Sequence, residues 1–356
     1  MKRPLISLAL LASLVAADAA GAKLKVPKQF PTIQAAVDAA GPGDTIVIAA
    51  GTYVESVNVE LANDLLLRAK GKVVVDGAGG VYALRLHGAN DLRVVGLTLR
   101  NADYGVLLGL STNVELDDCV VRETAIAGVS MGMCSGSRVV DSTVRDSAGH
   151  GVTFTLSSGC SVERTRIRDV GGNGVDGSGS TISILDNRIE KTGGHGVRLG
   201  GSEAATAWLV AGNDLRDLAD DGVFLSEGSG SSILQNSMRR ATDAGVDSFD
   251  ANSAFLIAGN VVSKSGRGLT LRATDSIVRE NVVKKSSLQG IVIPAPGQGL
   301  LLDGNAVTKS TLEAFLVLGI GNTLAHNTAK KSKGGDLVDG TVPGSNLYVA
   351  NGFDAP

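Results

Sequence analysis

A glycine-led motif recurs along most of this chain at nearly constant spacing. Gly105-Val106-Leu107-Leu108 returns as Gly128-Val129-Ser130-Met131, Gly151-Val152-Thr153-Phe154, Gly174-Val175-Asp176-Gly177 and Gly196-Val197-Arg198-Leu199. It continues at Gly222, Gly245, Gly268 and Gly290, with separations of 22 to 26 residues. A second series is interleaved with the first. Ser183-Ile184-Leu185-Asp186-Asn187, Leu209-Val210-Ala211-Gly212-Asn213 and Ile233-Leu234-Gln235-Asn236 share one shape, and it repeats through Asn260, Asn281, Asn305, Asn327 and Asn351. Some of these asparagines are followed by a short apolar pair, such as Val261-Val262 or Val282-Val283.

A fixed period of this length is the signature of a stacked-repeat architecture. Each unit holds three short strands and three turns, which at ~3.3 Å per residue make one circuit of a coil. Helical repeats are excluded, because a helix of 10 to 12 residues does not survive this density of glycine and β-branched residues. Composition agrees: 47 of 356 residues are glycine, 8 are proline, and aromatic residues make up 3 %. Successive circuits stack ~4.8 Å apart as three parallel sheets. In Gly-Val-x-Leu the valine and the last residue face inward and x faces out. The asparagines are expected in left-handed turns, their amides bonding to the rungs above and below. About a dozen coils result.

The two ends read differently. Residues 1–22 combine Lys2 and Arg3, an apolar run from Leu5 to Ala17 and small residues, the pattern of a secretory signal peptide. The run is too short for a membrane span, so a secreted or periplasmic product is expected. Residues 23–60 read as an N-terminal capping helix and first coil, and 61–356 as the solenoid. Thr32 can N-cap a helix whose Ile33, Ala36, Val37 and Ala40 form one apolar stripe. Such a helix covers strand edges left open at the end of the coil.

These repeats, with the stretch from Phe30 through Ala35-Ala36-Val37 to Ile48 and with Gly51-Thr52-Tyr53-Val54-Glu55, resemble the right-handed parallel β-helix of the pectin-lyase-like superfamily, across residues 29–351. The resemblance implies an all-β, single-stranded right-handed parallel β-helix with a helical cap. It also implies an acidic extracellular polysaccharide as partner, although that superfamily holds lyases, hydrolases, esterases, epimerases and non-enzymatic members.

Two outward columns carry the chemistry. One runs Leu107, Ser130, Thr153, Asp176, Arg198, Phe224, Asp247, Thr270 and Val292. The other, just before each glycine, runs Tyr104, Ala127, His150, Asn173, His195, Asp221, Ala244, Arg267 and Gln289. Both become ionisable in the middle rungs, where Asp176 should neighbour Arg198, and His195 should neighbour Asp221. Proton abstraction beside a uronate carboxylate needs a base and a group that neutralises that carboxylate. Histidine titrates near neutrality, so His195 is the candidate base, Arg198 the clamp, and Asp176 and Asp221 the orienting groups or Ca²⁺ ligands. His150, Asn173, Asp220, Asp247 and Arg267 are candidate substrate-binding residues. Glycoside hydrolysis would instead pair Asp176 with Asp220 or Asp221.

Asn173-Gly174-Val175-Asp176, Gly194-His195-Gly196 and Asp220-Asp221 resemble fragments of polygalacturonase motifs, but Gly-His-Gly precedes Asp-Asp here and no Arg-x-Lys follows. The rival class is a non-catalytic solenoid for adhesion or partner binding, in which the same polar residues merely solvate the surface. Net charge is −3 and no run of Lys or Arg occurs, so no nucleic-acid face is expected. No metal-ligating cluster is read from the spacing, zinc least of all, and a monomer is expected. Cys119 is assigned to an outward or turn site, while Cys134 and Cys160 fall on adjacent rungs where a disulfide could form.

Overall fold

The computed structural model describes residues 21–200, 205–226, 228–249 and 253–353. Of the expected signal segment, residues 1–20 lie outside this set. Among the described residues no helix is long and apolar enough to cross a membrane.

All the strand pairings are parallel, and each strand pairs with its equivalent one repeat away. In the first sheet the register runs from Val57 to Leu84, Val106 and Val129, and through Val152, Val175, Val197, Val223 and Val246 to Leu337. The strands before and after each asparagine form the second and third sheets in the same manner, as in Ile184 with Val210 and Ile189 with Leu215. The result is a parallel β-solenoid of about 14 turns, more than the dozen expected. The additional turns lie upstream, where Leu24, Ile46 and Leu67 stack without any Gly-Val mark.

Inward positions fill the core. Val106, Val129, Val152, Val175 and Val197 are each 0 % exposed, and Trp208 is 1 % exposed. Each aliphatic side chain so buried contributes about 1.5–3 kcal/mol. The repeat glycine is required by space rather than by turn geometry. A Cβ on Gly151 would stand 2.4 Å from the carbonyl oxygen of Gly174, and one on Gly174 would stand 2.6 Å from that of Gly196. Stacked backbones at this corner approach too closely for any side chain.

The asparagine ladder forms with one correction. Asn213 takes the backbone N–H of Asn187 on its Oδ1 at 2.9 Å and donates its own Nδ2 to Asn236 Oδ1 (2.9 Å) and to the carbonyl of Ile184 (2.8 Å). The same links recur to Asn351. The left-handed residue is the one before each asparagine, as in Asp186 (φ 54°), Gly212 (φ 69°) and Gln235 (φ 53°). That residue reverses the chain outward, and the asparagine amide is thereby left pointing along the stack. Upstream the same column is filled by Thr165, Ser142 and Cys119, whose amides or oxygens continue the ladder.

Cys119 is therefore buried, not outward, and desolvation pushes its thiol up to about 12. Cys134 and Cys160 are also buried, free thiols. They occupy different turn columns, since the Cys134 amide bonds to Ser157 Oγ while Ser161 beside Cys160 bonds to Ser137.

The helix spans only Ile33–Asp38. Thr32 caps it by accepting the Ala35 N–H at 3.0 Å. The Glu55 carboxylate takes the N–H groups of Ile33 (2.9 Å) and Gln34 (3.0 Å), a role for the Gly51–Glu55 segment that the sequence pattern did not reveal.

Candidate functional site

The column before the repeat glycine is itself a hydrogen-bonded rail. His150 Nδ1 accepts the Asn173 N–H (3.1 Å), and Asn173 Oδ1 accepts the His195 N–H (2.8 Å). His195 Nδ1 lies 3.3 Å from the Asp221 N–H, and Asp221 Oδ1 accepts the Ala244 N–H at 2.8 Å. Residue types with a short side-chain acceptor satisfy this position, which explains why it holds His, Asn and Asp.

The rail treats its two histidines differently. At His150, Nδ1 faces only a backbone donor, so the ring proton sits on Nε2, which points to Asp176 Oδ2 at 3.7 Å. At His195, Nδ1 also stands 3.2 Å from Asp221 Oδ2, and the Asp221 side chain is 3 % exposed. In the neutral ring Nδ1 accepts the Asp221 N–H, and once the ring takes up a second proton the Nδ1–H stands beside that buried carboxylate, a strong partner for it. Nε2 faces Asp220 Oδ2 at 3.6 Å. Phe224 stacks flat on the imidazole, with centroids 4.6 Å apart and planes 5° apart.

Arg198, on the strand Val197–Leu199 that follows His195, donates to Asp176 Oδ1 at 3.0 Å and remains about one-third exposed. Both line an open groove of about 340 Å³ on the outer face, with Tyr104, Ile126, Ser130 and Thr153. The groove's lining ends at Arg198 and Gly200 and includes neither His195 nor Asp221.

Beyond His195 lies an acidic patch. Ligand atoms of Asp221, Asp243 and Asp247 fall within 4.8 Å of one another, as do those of His195, Asp220 and Asp221. Clusters at ligand spacing thus exist where the sequence pattern offered none, and Asp221 groups with Asp243 rather than with Asp176. The oxygen set suits Ca²⁺ in kind. Two of its carboxylates, however, already have guanidinium partners: Asp247 pairs with Arg272 (2.7 Å) and Asp243 with Arg267 (2.6 Å). Burial pushes the Asp247 carboxyl up to about 7, with Asp221 and Asp243 adding to the effect and Arg272 opposing it. Burial likewise raises Asp220, with Asp221 adding to the rise while His195 opposes it.

Of the residues singled out from sequence, His195 meets Asp221 and Asp220, and Asp176 meets Arg198 and His150. Asn173 is 8 % exposed and serves as a spacer within the rail. Asp247 is covered, and Arg267 reaches Asp243 instead of open solvent. Asp243 and Arg272 escaped the sequence reading. Asp243 occupies the position two before the glycine, the position of Asp220 one repeat earlier, a column distinct from the two outward ones.

No curated protein matches the chain. Among solved structures, the catalytic unit of a thermostable GH87 α-1,3-glucanase from Streptomyces thermodiastaticus superposes with TM-score 0.70 at 14 % identity, over 94 % of this chain and 69 % of that one. The A-module of a mannuronan C-5 epimerase from Azotobacter vinelandii gives 0.63 at 14 % identity, over 89 % and 94 %. PfbA, a surface adhesin of Streptococcus pneumoniae, gives 0.59 at 15 %, over 89 % and 88 %. At such identities these likenesses speak for the fold alone. Residues 82–237 and 175–343 match the family described as the right-handed β-helix region. With its parallel pairing, inward aliphatic columns and family match across most of its length, the chain belongs to the right-handed β-helix family, with the pectin-lyase-like fold.

Proposed function

We propose that this is an exported, monomeric enzyme that abstracts a proton from an acidic extracellular polysaccharide, in the manner of a lyase or epimerase, on the outer face of the first sheet. The observation that carries this reading is the His195–Asp221 pair, on the turn just before Arg198, beside the groove floored by Asp176 and Arg198. With the ring turned to the tautomer whose Nδ1–H is directed at the Asp221 carboxylate, Nε2 is free to take the proton beside the uronate carboxylate, and Asp221 stabilises the imidazolium that forms. Arg198 has N–H donors beyond the one given to Asp176 and can neutralise that carboxylate as charge moves onto it. Asp176 and His150 fix the guanidinium, and Phe224 fixes the imidazole plane. The glucanase and epimerase neighbours support a carbohydrate substrate. If Ca²⁺ assists, Asp221, Asp243 and Asp247 are the residues that would hold it, in competition with Arg267 and Arg272.

One observation favours the non-catalytic reading: every rail member, His195 included, has a structural partner on the next turn. The adhesin neighbour fits that reading. His195→Asn separates the two, because asparagine retains a rail acceptor and removes the base. The mature protein is incubated with a panel of uronate polysaccharides, with and without Ca²⁺. Unsaturated ends are followed by absorbance and C-5 inversion by NMR. Activity that disappears in His195→Asn at unchanged melting temperature supports the base assignment. Activity retained in that variant sinks it, and silence across the panel moves the protein to the binding class.

A further inference from the structure

The turn after each third-sheet strand places one residue in the left-handed region. In the upstream turns this residue is Asn101, Glu123, Asp146, Asp169, Lys191, Asp217 and Arg240, a mixture in which Asn and Asp are the types that tolerate positive φ best. Downstream it is Lys264, Lys285, Lys309 and Lys331, at φ 59°, 60°, 63° and 60°. Lysine gains nothing locally from that conformation. The Lys264 N–H donates to the Lys284 carbonyl (3.0 Å), that of Lys285 to Thr308 (2.8 Å) and that of Lys309 to Lys330 (3.0 Å). The four lysines therefore stand on successive turns, in a straight row with a pitch of ~4.8 Å. Lys284 and Lys330 flank the row at the outward ends of their strands. All six are exposed.

Among the described residues none of these six lysines is found in an ion pair. Among the described residues the lysine found in an ion pair is Lys191, with Asp169, whereas Arg240, one turn before the row, is paired with Asp217. The repeat distributes its lysines so that no sequence window holds a run, and the coil then aligns them. A row of unpaired like charges repels itself and raises the local concentration of polyanions.

We infer that this row is a docking strip for an extended acidic polysaccharide with one carboxylate per sugar, laid parallel to the solenoid axis. Strand separation sets the pitch of the row, and a 1,4-linked pyranose chain advances by nearly the same length per sugar, so charges on both sides stay in step. Duplex DNA carries a phosphate about every 3.4 Å along each strand and winds away from a straight row. Single-stranded nucleic acid is held on aromatic platforms, and these turns contain no aromatic residue. The strip shares only its ligand class with the reading above, since its residues are separate from the His195 cluster. It would hold the polymer whether or not His195 is catalytic.

The test uses the mature chain and a fourfold variant, Lys264→Asn, Lys285→Asn, Lys309→Asn and Lys331→Asn. Asparagine suits positive φ, so the melting temperature should hold or rise. Retention is measured on immobilised polygalacturonate over a salt series, with dextran and a single-stranded oligonucleotide as comparison probes. The expected result is binding of polygalacturonate weakened by about tenfold or more in the variant, with a shallower salt dependence, and no retention on dextran by either protein. In His195→Asn, binding should persist. Unchanged affinity in the lysine variant overturns the strip. So does loss of binding in His195→Asn alone, which would place the polymer on the first sheet. Tighter retention of the oligonucleotide than of polygalacturonate by the native chain reassigns the row to nucleic acid. No retention of polygalacturonate by the native chain overturns both the strip and the acidic-polymer reading.

Discussion

Replacing Asp247 with asparagine should alter stability in a strongly pH-dependent way. The residue is 6 % exposed, beneath Arg272 and beside Asp221 and Asp243. Desolvation, with repulsion from the neighbouring carboxylates, carries its carboxyl from the ordinary 3.8 up to about 7, against the pull of Arg272. A carboxyl raised on folding holds its proton more tightly in the folded state. Its ionisation costs no stability below about pH 4, costs progressively more between pH 4 and 7, and reaches the full penalty above pH 7. The difference between the two values corresponds to roughly 4 kcal/mol at most, and local relaxation brings the working figure to about 2–3 kcal/mol. Asparagine keeps the shape and never ionises. It forfeits the ion pair, but the Arg272 side chain is 27 % exposed and can turn to water, at about 1 kcal/mol or less. Asp247→Asn should therefore stabilise the protein by roughly 1–2 kcal/mol at pH 8 and be neutral or mildly destabilising at pH 4. Urea unfolding followed by the fluorescence of Trp208, the chain's single tryptophan, measures this at several pH values. A stability change that is equal at pH 4 and pH 8, or a variant less stable than the native chain at pH 8, would mean that Arg272 keeps the carboxyl ionised and that burial has been overweighted.

Asn260→Ala removes four side-chain hydrogen bonds, to Asn236 N and Nδ2, the Ile233 carbonyl and Asn281 Oδ1, for a loss of roughly 4 kcal/mol at ~1 kcal/mol each. Asn351→Ala, at the partly exposed end of the ladder, should cost about half as much, and equal losses by urea titration would contradict the ladder account. Gly151→Ala drives a Cβ to 2.4 Å from the Gly174 carbonyl and should cost about 3 kcal/mol through overpacking. Gly79→Ala, at φ +74° with nothing within 4 Å, should cost only the left-handed strain of about 1 kcal/mol; a reversed order of melting temperatures would show that conformation rather than space selects the repeat glycine.

What could be seen in the sequence follows from how a coil stores information. Inward positions are constrained by packing on every turn, so Val106, Val129 and Val152 repeat visibly, and the asparagine column repeats because each amide needs the next. These constraints gave the sheets, the ladder and the pairing of His195 with Asp221 and of Asp176 with Arg198. Coils without such constraint left no mark. The upstream turns through Leu24 and Ile46 use other corner residues, and the Asn column gives way to Thr165, Ser142 and Cys119, which satisfy the same backbone donors with smaller groups. The left-handed site went to the wrong residue because Asn tolerates positive φ, although its buried amide is better used along the stack. Outward columns, apart from the stretch of acceptors at His150, Asn173, His195 and Asp221, are set by solvation and function, so they carry little period of their own and are legible only position by position. Asp243 was missed beside Asp220 because only two of these columns were followed. The lysine row was missed because charge was judged along the chain, where Lys264, Lys285, Lys309 and Lys331 are isolated. In a solenoid, electrostatic neighbours are a full turn apart, and a window shorter than one repeat cannot detect a charged face however strong it is.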